Sequence, residues 1–142
     1  MRKKRAGEKK LPKQTGRDYN KKQGINKTES REKTMKTERI DNMCGGEGHV
    51  IIRRVLDESQ LNGKCGLYAE VTLEPGCSLG FHEHHGESET YYILSGKGIY
   101  SDNGNLRMVR PGDATFTPDG KGHALTNSGD EDLVFMALII LG

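Results

Sequence analysis

Three of the five histidines of this 142-residue chain lie within four positions, in the stretch FHEHHGESET (residues 81–90). His82 and His84 are two residues apart, and on a β-strand side chains at this spacing point to the same face, with His85 on the other. Glu89 opens the next strand-like run and adds a carboxylate. His123 is the other histidine of the strand-rich C-terminal half. The candidate ligands of one metal ion are therefore His82, His84, Glu89 and His123.

Three imidazoles and one carboxylate suit a first-row divalent metal, Mn, Fe, Co, Ni or Zn, better than Ca or Mg. A six-coordinate ion held by four protein atoms keeps two positions for water or substrate, whereas a structural zinc site closes its coordination shell. Three neutral histidines and one carboxylate leave a local charge of about +1 on a divalent ion. Such a site favours anionic ligands such as carboxylates or enolates.

Other interpretations of these residues fit less well. His82 and Glu83 start a zinc-protease H-E-x-x-H helix, but position 86 is Gly, so the second histidine is missing. For any single histidine, a surface position on a polar loop remains the alternative to metal binding. The three cysteines are an odd number without a C-x-x-C pair, which argues against a disulfide framework and fits a reducing cytoplasm. We expect each to be a packing residue or a surface thiol.

Short strand-like runs must position the candidate ligands. They are separated by turn residues and comprise residues 49–56, 66–73, 90–96, 97–109, 113–118, 122–127 and 133–140. Asn103-Gly104 within 97–109 predicts a tight hairpin. The apolar run 133–140 fits a buried strand or a short helix, and its neighbours favour a strand. The pattern predicts an all-β sandwich or barrel, preceded by a lead-in segment, residues 35–48, with a short helical turn.

Two complete motifs resemble those of the cupin superfamily. The first, G-x5-H-x-H-x3,4-E-x6-G, is matched by Gly76, His82, His84, Glu89 and Gly96. The second, G-x5-P-x-G-x2-H-x3-N, is matched by Gly112, Pro118, Gly120, His123 and Asn127. The resemblance covers about residues 49–141 and implies a double-stranded β-helix, the jelly-roll cupin barrel. It also implies that the two histidines of the first motif, Glu89 and His123 hold the metal.

For function, the resemblance implies a divalent-metal-binding domain, residues 49–142, that acts on a small polar or anionic metabolite, such as a carboxylate, keto acid or sugar derivative. Cupins with this ligand set resemble dioxygenases, decarboxylases, isomerases and lyases, and fold and ligands do not choose among these reactions. Metal-dependent ligand binding or sensing without turnover is the alternative. Tyr91 lies two residues after Glu89, so on a strand its side chain points inward as that of Glu89 does. It is the candidate catalytic residue, and its alternative role is that of an aromatic side chain in the barrel wall. Cupins of this size pair as homodimers, often by exchanging an N-terminal strand.

The N-terminal segment, residues 1–34, differs from the rest in charge. It carries thirteen Lys or Arg against four acidic residues, whereas residues 35–142 carry nine against sixteen. High net charge with few apolar residues predicts a disordered basic tail. We favour a solvated tail, or an extension upstream of a start at Met35, over an arm that binds nucleic acid. The segment lacks the apolar run of a secretory signal, and no run in the chain is long enough to span a membrane. We therefore expect a cytoplasmic protein.

Overall fold

The structure is a computed structural model that describes residues 35–142. The predicted disordered tail, residues 1–34, lies outside the described residues. Within the described range the strands are β1 (Thr37–Asp41), β2 (His49–Arg54), β3 (Cys65–Leu73), β4 (Ser78–Glu83), β5 (Glu87–Ser95), β6 (Gly98–Asp102), β7 (Asn105–Val109), β8 (Ala114–Thr117), β9 (Gly122–Asn127) and β10 (Leu133–Leu141). A 3-10 turn (Met43–Gly45) and a short helix α1 (Glu58–Leu61) complete the elements. No described helix is long and apolar enough to cross a membrane.

The strands form two antiparallel sheets. One has six strands in the order β1-β2-β3-β10-β5-β8, and the other has four in the order β4-β9-β6-β7. Buried residues of both sheets, among them Ile93 and Phe135 from the first and Leu79 and Leu125 from the second, form one apolar cluster. Burying each such side chain contributes about 1.5–3 kcal/mol to folding. The all-β, two-sheet architecture predicted from the sequence is confirmed.

Local sequence signals explain several of the turns and strands. Asn103 and Gly104 both have positive φ, 49° and 97°, as a two-residue hairpin between right-twisted strands requires. The hairpin pairs Asp102 with Asn105, so the predicted turn between β6 and β7 is confirmed. The ambiguous apolar run at 133–140 is strand β10, whose inward residues alternate with half-buried ones on its outer face.

Two elements were not predicted from the sequence. The lead-in segment contains strand β1, which pairs with β2 from Thr37↔Arg53 to Asp41↔His49. Its sequence TERID is charged and poor in β-formers, as is common at a sheet edge, so it carries little strand signal. Helix α1 is a single turn, too short to show helical periodicity. Its signal is the capping box in which the Asp57 side chain accepts from the Gln60 amide while the Gln60 side chain accepts from the Asp57 amide.

Candidate metal centre

The four candidate ligands come from three strands that meet between the two sheets. His82 near the end of β4 pairs directly with His123 on β9. His84 follows two residues later, just beyond β4, where its amide donates to the Lys121 carbonyl at 2.9 Å and its carbonyl accepts from the Gly120 amide at 2.7 Å. Glu89 lies on β5 in the opposite sheet. The side chains of Glu89 and Tyr91, two residues apart, both point inward and are buried. The alternation of strand side chains therefore directs all four groups to one point.

The atoms that converge are the Nε2 atoms of the histidines and one carboxylate oxygen. The Nε2 atom of His123 lies 3.0 Å from that of His82 and 3.0 Å from that of His84. Oε2 of Glu89 lies 2.9 Å from Nε2 of His123, 2.8 Å from Nε2 of His84 and 3.7 Å from Nε2 of His82. The four ligand atoms all lie within 4.8 Å of one another.

These distances fit the donor set of a transition metal. Two atoms that each bind one ion at about 2.1 Å, at right angles, lie about 3.0 Å apart. The Nδ1 atoms of His82 and His84 face the Gly80 carbonyl and the Glu87 carboxylate, which only accept hydrogen bonds. In the neutral tautomer each Nδ1 therefore carries the proton and each Nε2 presents a lone pair. Lone pairs and a carboxylate oxygen at these separations repel one another unless a cation lies between them.

Each imidazole is oriented by a hydrogen bond on its outer side. Nδ1 of His82 donates to the Gly80 carbonyl at 2.8 Å, and Nδ1 of His84 donates to Glu87 at 2.7 Å. Nδ1 of His123 lies 3.0 Å from the Tyr100 hydroxyl and 2.9 Å from the Thr117 hydroxyl, which are 2.9 Å from each other. Partners of this kind fix the tautomer and the ring orientation of metal-binding histidines.

Sequence reasoning missed these outer partners, which are Glu87, Tyr100 and Thr117. Glu87 did carry a signal, because it shares the strand parity of Glu89 and begins β5 three residues after His84. Tyr100 lies on β6, which pairs with β9, whereas Thr117 lies on β8 of the other sheet, six residues before His123. No local pattern could have identified these two hydroxyls.

The electrostatics of the cluster favour the metal-binding protonation states of Glu89 and His123 and oppose that of His82. Burial by itself raises the pKa of Glu89, but hydrogen bonds with His123 and His82 and the nearby histidine charges lower it to about 2. Burial lowers the pKa of His123 by more than the hydrogen bond with Glu89 raises it. At neutral pH Glu89 is therefore ionised and His123 is neutral. For His82, the opposing effect of burial is outweighed by the hydrogen bonds with Glu89 and Gly80, so its pKa is raised.

Comparison with known proteins identifies the family. The profile described as "Cupin domain" matches residues 69–139. An oxalate-binding protein from Thermotoga maritima is 45% identical over 104 residues, which are 73% of this chain and 86% of that protein. The chain belongs to the cupin family. A solved structure described as a predicted oxalate decarboxylase from Thermotoga maritima is 43% identical, with a TM-score of 0.74, and the match covers 79% of this chain and 97% of the other.

A second curated relative is much longer than the matched segment. The oxalate decarboxylase OxdC from Bacillus subtilis is 36% identical over 75 residues, which are 49% of this cupin and 20% of OxdC. The cupin resemblance inferred from the two motifs, and the jelly-roll fold that it implies, are confirmed by these matches.

The four candidate ligands, His82, His84, Glu89 and His123, are called the metal cluster below. Tyr91, the candidate catalytic residue of this cupin, lies against them. Its hydroxyl is 3.3 Å from Nε2 of His123, and its ring stacks on the His123 imidazole with centroids 4.7 Å apart. Complete burial, and then the Glu89 charge, raise the pKa of Tyr91 well above the usual range. The hydroxyl therefore keeps its proton at neutral pH and can donate it in a hydrogen bond. The ring also packs against Phe135, with centroids 4.6 Å apart, so Tyr91 is a wall residue as well.

A cavity of about 150 Å³ adjoins the candidate ligands. Its other lining residues are mainly apolar: Met43, Cys44, Val50, Ile52, Leu67, Val71, Leu79, Tyr91, Phe135, Ala137 and Ile139. The His82 side chain is 21% exposed, whereas those of His84 and His123 are 4% and 0% exposed. Among the three histidines, His82 is therefore the most accessible to solvent.

Several other aromatic, apolar, basic and histidine residues lie away from this site. Phe81 and Phe116 are half-exposed, at 50% and 59%, whereas Leu125 is buried in the core. Arg53 pairs with Glu70 and Arg54 pairs with Glu38, and neither arginine lines the cavity. The exposed His85 pairs with Glu83, and His49 pairs with Glu74. The cavity therefore takes its polar character from the metal cluster, Tyr91 and Cys44.

Proposed function

We propose that this cupin binds one divalent transition-metal ion through His82, His84, Glu89 and His123, and uses it to hold a small carboxylate anion such as oxalate. The observation that carries the proposal is the convergence of three Nε2 atoms and one carboxylate oxygen beside a small apolar cavity. Four protein donors leave room in the shell of a six-coordinate ion, where an anion can replace water.

The charge of the cavity supports an anionic ligand. With neutral histidines, Glu89 is the one formally charged side chain among its described lining residues. A divalent ion then leaves the site with a net charge of about +1 in apolar surroundings, where a small anion is attracted strongly. The arginines at positions 53 and 54 are occupied by outer ion pairs and contribute nothing inside.

The size of the cavity and the relatives narrow the ligand class. A volume of about 150 Å³ is well below the roughly 300–1,000 Å³ of pockets for drug-sized ligands. It suits a short carboxylate rather than a sugar derivative or a nucleotide. The similarity to a protein named for oxalate binding supports the two-carbon dicarboxylate as the first ligand to test.

Turnover of the bound anion is the second candidate function, and Tyr91 is the observation that favours it. A bound metal supplies Lewis-acid polarisation of a carboxylate, and for some metals access to oxygen chemistry. The chain contributes a protonated hydroxyl beside the metal cluster, which can donate a hydrogen bond to a bound substrate. The catalytic role of Tyr91 stays a prediction.

The test uses the full chain purified without a histidine tag. Elemental mass spectrometry measures bound Mn, Fe, Co, Ni and Zn, and calorimetry then measures oxalate binding to the metal-loaded and EDTA-treated protein. We expect about one metal per chain and oxalate binding that requires the metal. Formate and carbon dioxide production from oxalate separates turnover from binding. A metal-loaded protein that does not bind oxalate or other short carboxylates would contradict the proposal.

The oligomeric state and the domain limits stay predictions. The homodimer expected from the cupin resemblance is measured by light scattering of the same full chain. Limited proteolysis followed by mass spectrometry tests the proposed division into residues 1–34, 35–48 and 49–142. Because β1 pairs with β2 along its whole length, we expect protection to begin before residue 49.

A further inference from the structure

The 3-10 turn Met43–Gly45, between β1 and β2, forms one wall of the cavity beside the metal cluster. Met43 lines the cavity and packs, half-buried, against the core. Cys44 also lines the cavity but is exposed to solvent. A residue that both lines a cavity and reaches solvent lies at its opening. Cys44, like the partly exposed His82, therefore reaches both the cavity and solvent.

Close backbone contacts hold this turn in place. A Cβ atom at Gly80 would collide with the carbonyl oxygen of Cys44, and a Cβ atom at Gly46 would collide with the carbonyl oxygen of Ser78. The glycines therefore let the turn lie directly on β4. The side chain of Asn42 donates to the Gly46 carbonyl at 3.0 Å.

The backbone of the turn is also unusual. Asn42 and Cys44 have left-handed φ values of 48° and 53°. Asparagine adopts this conformation readily, whereas for cysteine it is uncommon and is maintained by the surrounding contacts. The turn therefore behaves as a fixed wall rather than as an adaptable loop.

The turn is coupled to the metal cluster through Gly80. The Gly80 carbonyl accepts the hydrogen bond from Nδ1 of His82, and the absence of a Cβ at Gly80 admits the Cys44 carbonyl. The position of the wall and the orientation of one candidate ligand are thus set by the same residue. Burial, and then the Glu89 charge, raise the pKa of the Cys44 thiol. Cys44 accordingly presents a neutral thiol at the opening.

We propose that Met43 and Cys44 set the size limit of the ligand: they admit a two-carbon dicarboxylate beside the metal cluster and exclude longer ones. This inference rests on the proposed carboxylate site. Both side chains take up space along the cavity wall, Met43 from the half-buried side and Cys44 from the solvent-exposed side. A pocket wall discriminates between ligands that differ by one methylene by about tenfold or more. Two extra methylenes against a fixed wall therefore produce a clear preference.

The experiment measures the affinities of oxalate, malonate and succinate for the cobalt-loaded full chain by calorimetry. The variants are Met43→Ala, which deepens the cavity, and Cys44→Gly, which widens the opening at a backbone position that glycine adopts without strain. Met136→Ala is the matched control, because Met136 is half-buried on the outer face of β10, away from the cavity. Imidazole and 4-phenylimidazole, detected through the cobalt absorption spectrum, form a second size series that does not depend on carboxylate recognition.

We expect the wild-type chain to favour oxalate over succinate, and Met43→Ala to reduce that ratio at least about fivefold with unchanged cobalt content. Met136→Ala should leave the ratio unchanged. If wild type and Met43→Ala have the same ratio, the size limit is overturned and the carboxylate site stands.

If no dicarboxylate binds, the proposed function fails. The imidazole pair then decides the size limit: 4-phenylimidazole binding only to the enlarged variants supports it, and equal binding to wild type overturns it. Failure to bind cobalt overturns both.

Discussion

Two buried polar centres in this cupin differ in how their hydrogen bonds are satisfied. The Asn127 side chain is almost fully buried and donates to the carbonyls of Leu73 and Glu131, each at 2.8 Å. Its Oδ1 accepts from the Gly129 amide at 2.9 Å. Both N–H groups of the Asn127 amide and its oxygen atom therefore have hydrogen-bond partners within the protein.

In the metal cluster His84, Glu89 and His123 are also buried and His82 is partly exposed, but the four groups cannot satisfy one another. The Nδ1 sides of its three imidazoles have partners, whereas their Nε2 atoms and the Glu89 oxygen face one another at about 3 Å. At most one proton can be shared at each such contact, so lone pairs remain opposed. A buried polar group with complete protein partners is structural. A buried group whose acceptors converge is suited to hold a cation.

The largest effect should come from Glu89→Gln. Removing one member of a buried charge pair costs about 3–5 kcal/mol, so we expect metal affinity to fall about a thousandfold. The increase in melting temperature on adding metal should also disappear, because a ligand stabilises the folded state only when it binds. Elemental mass spectrometry and thermal unfolding with and without EDTA measure both.

His84→Ala should lose metal in the same way, and the neighbouring His85→Ala is its matched control. His85 is exposed and pairs with Glu83 outside the site, so this variant should keep full metal content. Full occupancy in both Glu89→Gln and His84→Ala would contradict the ligand assignment.

Asn127→Ala should show the opposite pattern. It leaves two buried carbonyls and one amide without partners, which costs about 2–4 kcal/mol in the free energy of unfolding. Urea unfolding measures this loss, and the metal content of the folded fraction should not change. A variant that lost metal without losing stability would show that the two centres do not differ as described.

The four candidate ligands could be predicted from the sequence because their information is local. An H-x-H pair on an extended segment, a carboxylate at the start of the next strand and a histidine after a Pro-x-Gly turn each depend on strand parity alone. The orientation of His123 could not be predicted, since it depends on Tyr100 and Thr117 from two other strands. The cavity wall at Met43 and Cys44 was missed for the same reason. It lies in a polar lead-in segment whose position depends on contacts with Gly80 some thirty-five residues later.

A smaller effect should follow from the outer partners of the histidines. Glu87→Ala removes the acceptor of the His84 Nδ1 proton, and Thr117→Val removes one hydroxyl beside His123. Loss of such a partner reduces metal affinity by about 10–100-fold. Glu83→Ala is the control, because Glu83 is an exposed glutamate that pairs with His85. Competition with a chromophoric chelator measures the affinities. Equal affinities in Glu87→Ala and Glu83→Ala would show that Glu87 does not position His84.

The smallest effect is the pH dependence of metal binding near neutrality. The raised pKa of His82 makes it the first ligand to take up a proton as pH falls, whereas the lowered pKa of His123 delays its protonation. Glu89, with a pKa of about 2, stays ionised throughout. Since a protonated imidazole cannot bind a metal, the affinity should fall by up to about tenfold from pH 7 to pH 6. Calorimetry in buffers of different ionisation enthalpy should show proton release on binding that increases over this range. Constant affinity with no proton release would mean that His82 binds no metal, and the cluster would then have three ligands rather than four.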